Sequence, residues 1–124
     1  MVIRRFEVVN KGMRIVGVSE FQASKPSPAI VLMHGYSGDK DEHGRFVEAS
    51  KRLMKSGFAT VRFDFRYSKT PENGSESDGE LVDMTPGEWI SDAKTVLSYV
   101  ADLPGVDAVF LDVTNKPPAT IEWE

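Results

Sequence analysis

The feature that most constrains the fold is an unbroken apolar run, Ala29–Met33, that ends abruptly in His34-Gly35. The run is too short for a typical helix, and Pro26 and Pro28 stand before it. A short continuous apolar run between such breakers is typical of a strand buried on both faces, as in parallel sheets. The turn after such a strand lies where open α/β sheets place their ligand sites. The sequence therefore predicts an α/β fold with a candidate site in residues 34–40.

Two β-rich runs, Val2–Val9 and Met13–Phe21, precede this strand. The short connection Asn10-Lys11-Gly12 between them carries residues that tolerate positive φ. This is the chemistry of a tight hairpin turn. We therefore expect an N-terminal antiparallel hairpin.

Two helices and two further strands are predicted after the central turn. Residues 42–56 form an amphipathic segment that Asp39 or Asp41 can cap, and residues 58–64 follow as a strand parallel to the first. Thr85-Pro86-Gly87-Glu88 is a capping box that starts a second helix. Its apolar face is predicted to contain Trp89, Ile90, Ala93, Val96, Leu97 and Val100. This helix should end near Asp102, and Val106–Val113 has high strand propensity.

Several of these motifs together resemble the α/β-hydrolase fold, in particular its feruloyl and cinnamoyl esterase branch. The resemblance runs from the apolar run with His34-Gly35-Tyr36, through residues 57–66 and 75–80, into Met84-Thr85 and the helix beyond, and covers about residues 1–111. It implies that the strand ending in His-Gly-aromatic supplies a backbone N–H of an oxyanion hole. His34, Gly35 and Tyr36 are therefore expected to form an oxyanion-hole-like turn.

The resemblance stops at the point where those esterases carry their nucleophile elbow, Gly-x-Ser-x-Gly. Leu111–Pro118 has neither a serine nor a glycine pair, and Thr114 is its only hydroxyl. We expect no catalytic residue here, a vestigial oxyanion turn, and no second half with the triad acid and histidine. Residues 112–124 are predicted to form a divergent C-terminal hairpin. The tail is weakly similar to ferredoxin-like heavy-metal-associated domains, and this similarity suggests a chimeric or designed origin. Because the tail lacks their cysteine pair, no metal function is implied.

Composition narrows the function classes further. The chain has 124 residues, a net charge of −4 and no cysteine. It should form a single domain, without disulfides, thiolate catalysis or cysteine-based zinc sites. The acidic balance argues against nucleic-acid partners, and no apolar run is long enough for a membrane span. We expect a cytoplasmic protein with no cofactor and no metal.

Other candidate sites have simpler structural interpretations. Ser37 with His34 or His43 could form a nucleophile–base pair, but a serine in a glycine-flanked turn is usually a turn residue. His43 with Asp39, Asp41 and Glu42 could bind a metal, although acids at a helix start are stabilising anyway. Residues 66–83 should form a mobile polar surface loop without EF-hand spacing, and its acids are Glu72, Glu76, Asp78, Glu80 and Asp83. Asp64 and Arg66 could pair with each other or bind an anion, but both are expected to be structural.

These observations leave three functional hypotheses. The leading one is a truncated, chimeric or designed hydrolase-like domain without ester-hydrolase activity. The second is an esterase half that a partner chain completes, in which case the activity would be carboxylic-ester hydrolysis. The third is a non-catalytic assembly module that forms homo-oligomers through exposed strand edges.

Overall fold

The computed structural model describes residues 1–22, 24 and 26–112, which contain a five-stranded mixed sheet. The strands are β1 (Val2–Asn10), β2 (Met13–Phe21), β3 (Ser27–Met33), β4 (Ala59–Asp64) and β5 (Val106–Asp112). Two helices connect the later strands: α1 (Arg45–Lys55) and α2 (Pro86–Ala101). Single 3₁₀ turns lie at Glu42–Gly44 and Leu81–Asp83. The α/β fold class predicted from the sequence is confirmed.

The strand order is β1-β2-β4-β3-β5, with β3 parallel to both β4 and β5. The predicted N-terminal hairpin is present, with β1 and β2 antiparallel and Lys11 and Gly12 both at positive φ in its turn. β2 continues the sheet by pairing antiparallel with β4. Pro28, which cannot donate to a ladder, lies at a register shift between β3 and β5.

The helices cover opposite faces of the sheet. Val61 and Phe63 of β4 belong to the apolar core with Val96 of α2. Arg62, between them, points the other way, where its guanidinium contacts Glu20 at 2.6 Å and Ser50 of α1 at 3.3 Å. Because successive residues of a strand face opposite sides, the sheet is the middle of three layers. The turn after β3 and the end of β4 meet at one edge of this sheet.

Helix α1 begins later than the sequence predicts. Glu42 and His43 have φ values of 47° and 56°, which no α-helix contains. The chain therefore makes a 3₁₀ turn, and α1 starts at Arg45 after Gly44. Of the two predicted caps, Asp39 and Asp41, the side chain of Asp41 makes no capping hydrogen bond.

Helix α2 begins as predicted, with the Thr85 side chain accepting a hydrogen bond from Glu88 N. Ile90 is wrongly placed on the apolar face, because its side chain is 58% exposed. Asp92 is fully buried on that face instead, in line with Val96 and Val100. The C-terminal hairpin predicted for 112–124 lies outside the described residues. Within the part of the chain that the structure describes, no helix is both long and apolar enough to cross a membrane.

Replacing Gly17 by alanine should destabilise the sheet, because the Phe6 ring lies directly over this glycine. An added Cβ would lie 2.8 Å from the Arg62 carbonyl oxygen and still closer to the ring. The ring can turn aside, but the backbone oxygen cannot move without shifting β4. We expect Gly17→Ala to lower the free energy of unfolding by about 1–3 kcal/mol, measured by urea denaturation. Gly87→Ala is the control, since nothing lies near its Cβ position. Equal stability of the two variants would contradict this packing.

Candidate functional site

The site is the turn that follows β3, residues 34–38. Gly38 N donates to Gly35 O at 3.0 Å, and Ser37 at the third position of this turn has a φ of 63°. This geometry is that of a type II turn, which usually has glycine at that position. Tyr36 is 69% exposed at the tip. Among the described residues, nothing accepts a hydrogen bond from the backbone N–H of Tyr36 or Ser37, so these groups are available to an external anion.

His34 anchors the turn to the neighbouring strand. Its Nε2 accepts a hydrogen bond from Phe65 N at 3.1 Å, and its Nδ1 lies 2.8 Å from Gly35 O. A backbone N–H can only donate, so Nε2 carries no proton and Nδ1 donates to the carbonyl. The ring also packs edge-on against Phe65 and Trp89. His34 is thus a neutral structural bridge between β3 and β4, with both ring nitrogens occupied.

Burial lowers the pKa of His34, and this loss outweighs the opposing effects of the Gly35 carbonyl and the carboxylates of Asp64, Glu42 and Asp39. Because the unfolded chain then binds the proton more readily, stability rises with pH in this range. We expect the free energy of unfolding to fall as the pH drops below about 6.5, by at most about 1.4 kcal/mol per pH unit. Urea denaturation between pH 7.5 and 5 in steps of about half a unit measures it.

The His34→Gln variant should lose that pH dependence, whereas His43→Gln, at an exposed histidine, should keep it. Carboxylates whose pKa is lowered in the fold, such as Glu76 beside Lys40, affect stability only below their ordinary range near 4.5. A wild-type stability that stays constant from pH 7.5 to about 5 would contradict the neutral buried state of His34.

Asp64, at the end of β4, holds the far side of the turn. Its carboxylate is fully buried and accepts hydrogen bonds from Lys40 N at 2.6 Å, Lys40 Nζ at 3.1 Å and Glu76 N at 2.8 Å. Burial lowers the pKa of Lys40, but its bonds to Glu76 and Asp64 outweigh this and raise it above its usual range. The sequence correctly marked Asp64 as structural, but its partner is Lys40 rather than Arg66.

The segment after β4 is packed on the turn rather than loose. Asn73 Nδ2 lies 3.3 Å from Ser37 O, 3.1 Å from Gly38 O and 2.7 Å from Ser68 O. Gly74 N donates to Asp39 Oδ2 at 2.8 Å. The prediction of a mobile surface loop over 66–83 is wrong, because its polar side chains bond inward to the carbonyls of the turn.

Asp39 stabilises the same arrangement from the other side. Its Oδ1 accepts from Asp41 N and Glu42 N, at 2.9 and 3.1 Å. Burial raises the pKa of Asp39, but these N–H groups and that of Gly74 outweigh it and lower the pKa. Asp39, and not Asp41, therefore satisfies the backbone ahead of α1.

Arg66 and Asp92 fix α2 against the end of β4. Arg66 is 1% exposed, and its Nε and backbone N donate to the Asp92 carboxylate at 2.6 and 2.7 Å. Its Nη2 reaches Glu88 Oε1 at 2.6 Å, and Trp89 Nε1 donates to Arg66 O at 2.7 Å. The predicted structural role of Arg66 agrees with this, but the geometry does not pair it with Asp64.

The hydroxyl groups near the turn either make hydrogen bonds within the protein or have no base in contact with them. Ser68 Oγ bonds to Phe65 O and Ser75 Oγ, and Ser77 Oγ accepts from Val16 N while donating to Asp64 O. Ser37 and His43 line one polar cavity of about 240 Å³, but no hydrogen bond joins them in the described structure. A nucleophile needs a base in contact and a group that orients the base. No such set occurs among residues 1–22, 24 and 26–112.

The acidic residues considered above as metal ligands make separate contacts in the structure. Glu76 pairs with Lys40 and Asp78 pairs with Arg14, both at the sheet. Across the described ranges, no group of three histidine, aspartate or glutamate side chains is arranged to hold a metal ion. Glu76 and Asp78 therefore tether the 66–83 segment to the rest of the fold.

Three residues that hold the site together were missed from the sequence: Lys40, Asn73 and Asp92. Lys40 and Asn73 carry no local signal for this role, because the Asp64 carboxylate and the turn carbonyls that they contact lie 24 to 36 residues away. Asp92 did have a signal, since it stands four residues before Val96 on the apolar face of α2. A charge on an apolar helical face indicates a buried partner.

Comparison with solved structures shows which proteins share this architecture. An α/β hydrolase from Penicillium, GrgF, superposes with a TM-score of 0.73 at 20% identity, over 90% of this chain and 37% of that chain. Est1E of Butyrivibrio proteoclasticus, solved with ferulic acid bound, gives a TM-score of 0.73 at 23% identity, over 86% of this chain and 41% of that chain. An esterase of Pyrococcus furiosus gives 0.71 at 16% identity, over 89% and 39%.

Comparison by sequence finds a different set of proteins, over shorter stretches. A glutamine-hydrolysing GMP synthase of Yarrowia lipolytica is 48% identical over 50 residues, covering 36% of this chain and 10% of the synthase. The corresponding enzyme of Gloeobacter violaceus is 40% identical over 55 residues, covering 44% and 9%. The chain thus spans about a tenth of these relatives, and no family model matches it. Since the hydrolase structures cover nearly all of the described sheet and helices, the chain has the fold of the N-terminal half of the α/β-hydrolases.

Proposed function

We propose that this chain forms the oxyanion-turn side of an α/β-hydrolase-like domain and does not hydrolyse esters by itself. The proposal rests on one observation: the histidine of the turn is occupied as a structural bridge, with a partner at each ring nitrogen. N–H groups aimed at a developing oxyanion stabilise acyl transfer, but they do not replace a nucleophile. The hydrolase structures that share this fold support a hydrolase-like origin for the turn.

The geometry of His34 argues most directly against a base at this site. To act as a general base toward Ser37, the ring would have to release Phe65 N and leave that buried amide without a partner. An unsatisfied buried donor costs about 1–3 kcal/mol. The nearby buried serines are equally committed, since Ser68 and Ser77 bond to backbone carbonyls.

Hydrolysis of p-nitrophenyl acetate and butyrate by the purified 124-residue chain tests this proposal. The expected rate equals that of the same chain carrying Ser37→Ala, and that of free imidazole at matched histidine concentration. Saturable turnover that disappears in Ser37→Ala would overturn the proposal. Ser37 is exposed, so this substitution leaves the packed core untouched.

A second candidate function is assembly through the edge of β5. Among the strands of residues 1–22, 24 and 26–112, β5 is at the edge of the sheet, with Phe110 54% exposed and Leu111 47% exposed. An unpaired apolar edge favours pairing with another strand, from a second copy or from a chain that completes the esterase. Light scattering after size exclusion, at rising concentration, tests pairing between copies. Strictly monomeric behaviour would count against it, and loss of an oligomer in Phe110→Lys would support it.

The short matches to GMP synthases support a chimeric composition for the chain. A stretch of 50 residues at 48% identity to one protein family is unexpected in a chain whose fold superposes on another. Each match covers less than half of this chain. The glutamine-hydrolysing activity of those enzymes is therefore not part of the proposal.

A further inference from the structure

A second cavity lies at the opposite end of the sheet from the oxyanion turn. It has a volume of about 270 Å³ and is lined by residues of β1, β2, the end of α2 with the loop that follows it, and the start of β5. Its apolar wall consists of Phe21, Leu103, Pro104 and Val106. This volume is just below the usual range for small-molecule sites, so it suits a ligand smaller than a typical drug.

Three polar residues join this apolar wall: Arg4, Ser19 and Tyr99. The Arg4 guanidinium carbon stands 5.9 Å from the centre of the Phe21 ring, which places its charge over the wall. Ser19 is the cross-strand partner of Arg4, and Tyr99 is held in place by stacking on Phe6 at 4.7 Å. Ser19 Oγ itself donates to Arg4 O at 3.5 Å, so the Arg4 guanidinium is the charged group that lines this small apolar space.

Arg4 differs in this respect from its neighbour Arg5. Arg5 points to the other face of β1, where it pairs with Glu7 at 2.9 Å. Within residues 1–22, 24 and 26–112, no carboxylate forms a salt bridge with Arg4. A guanidinium beside an apolar wall favours a carboxylate, because it offers paired donors in a plane that matches the two oxygens.

We propose that this cavity binds a small carboxylate with an apolar tail, such as an arylalkanoate. The tail lies against Phe21, Leu103 and Val106, and the carboxylate accepts hydrogen bonds from Arg4. The site is independent of the oxyanion turn, because the two lie at opposite ends of the parallel strands. It gives the chain a binding function that requires no nucleophile.

Titration with 3-phenylpropanoate, followed by amide chemical shifts of the ¹⁵N-labelled full chain, tests the proposal. Shifts should concentrate at Phe21, Gly105 and Val106, and leave Tyr36 unchanged. The neutral analogue 3-phenylpropanamide should bind about tenfold more weakly, since it lacks the charge that Arg4 recognises. Arg4→Gln should weaken binding of the carboxylate by a similar factor and leave binding of the amide unchanged.

Arg5→Gln is the matched control, one residue away on the other face, and should bind as the wild type does. Both arginines are exposed, so neither change removes a core contact. The proposal is overturned if the carboxylate and the amide bind equally, or if Arg4→Gln and Arg5→Gln weaken binding alike. It is also overturned if no shift occurs at the cavity residues up to about 10 mM ligand. Ester hydrolysis does not enter these readouts, so failure here leaves the proposed function standing.

Discussion

Asp64→Ala should lower the free energy of unfolding by about 3–5 kcal/mol. The buried Asp64 carboxylate accepts three hydrogen bonds, two from Lys40 and one from Glu76 N. Without it, the Lys40 ammonium, with only 8% of its side chain exposed, loses one of its two carboxylate partners. The backbone N–H groups of Lys40 and Glu76 lose their acceptor as well. Urea denaturation followed by circular dichroism measures the change.

Asp64→Asn keeps the volume and one acceptor oxygen, so it should fall between the wild type and Asp64→Ala and remain folded for measurement. Glu48→Ala is the control, because Glu48 and Arg52 form an exposed pair on α1. It should change stability by less than about 0.5 kcal/mol. An Asp64→Ala variant within about 1 kcal/mol of the wild type would show that this carboxylate does not hold the two loops together.

Asp92→Ala should have an effect of similar size, about 3–5 kcal/mol, because it removes the carboxylate that neutralises a buried arginine. Asp92 is fully buried, and besides Arg66 it accepts from Asn10 Nδ2 at 2.9 Å. The residue thereby joins α2, the end of β4 and the N-terminal hairpin. Hydrogen exchange of the Arg66 amide, whose acceptor is Asp92, should accelerate in parallel.

Ser91→Ala provides the comparison for Asp92→Ala. Ser91 Oγ accepts a hydrogen bond from the same Asn10 Nδ2, at 3.0 Å, but carries no charge. Loss of one neutral hydrogen bond should cost about 1 kcal/mol. The double variant Arg66→Met, Asp92→Leu should recover much of the stability, because apolar side chains can replace a buried ion pair. Similar losses in Ser91→Ala and Asp92→Ala would contradict the charge-based explanation.

The elements were predictable because their signals are local. The apolar run before His34 predicts β3, the Asn10-Lys11-Gly12 turn predicts the hairpin, and Thr85 with Pro86 fixes the start of α2. Each of these depends on residues within a few positions of one another. The start of α1 was missed because a glutamate gives no sequence signal for positive φ, although His43 is a residue type that adopts it more often than most.

The interior of the site could not be predicted in the same way. The sequence indicated that the turn at His34-Gly35-Tyr36 was the feature of interest. It did not indicate that Lys40 would bond to Asp64, or Asn73 to the turn carbonyls. Such pairs form only when the strand ends and the 66–83 segment meet in space. The assignment of that segment as a loose loop was wrong because its polar composition is compatible with either outcome.

Covalent labelling tests most directly whether the turn at residues 34–38 lacks an activated nucleophile. The 124-residue chain is incubated with a fluorophosphonate probe beside an active serine esterase, and intact mass is measured for both. We predict no stoichiometric adduct on this chain under conditions that label the esterase fully. One adduct per chain, mapped to a single residue and abolished by replacing that residue, would contradict this prediction.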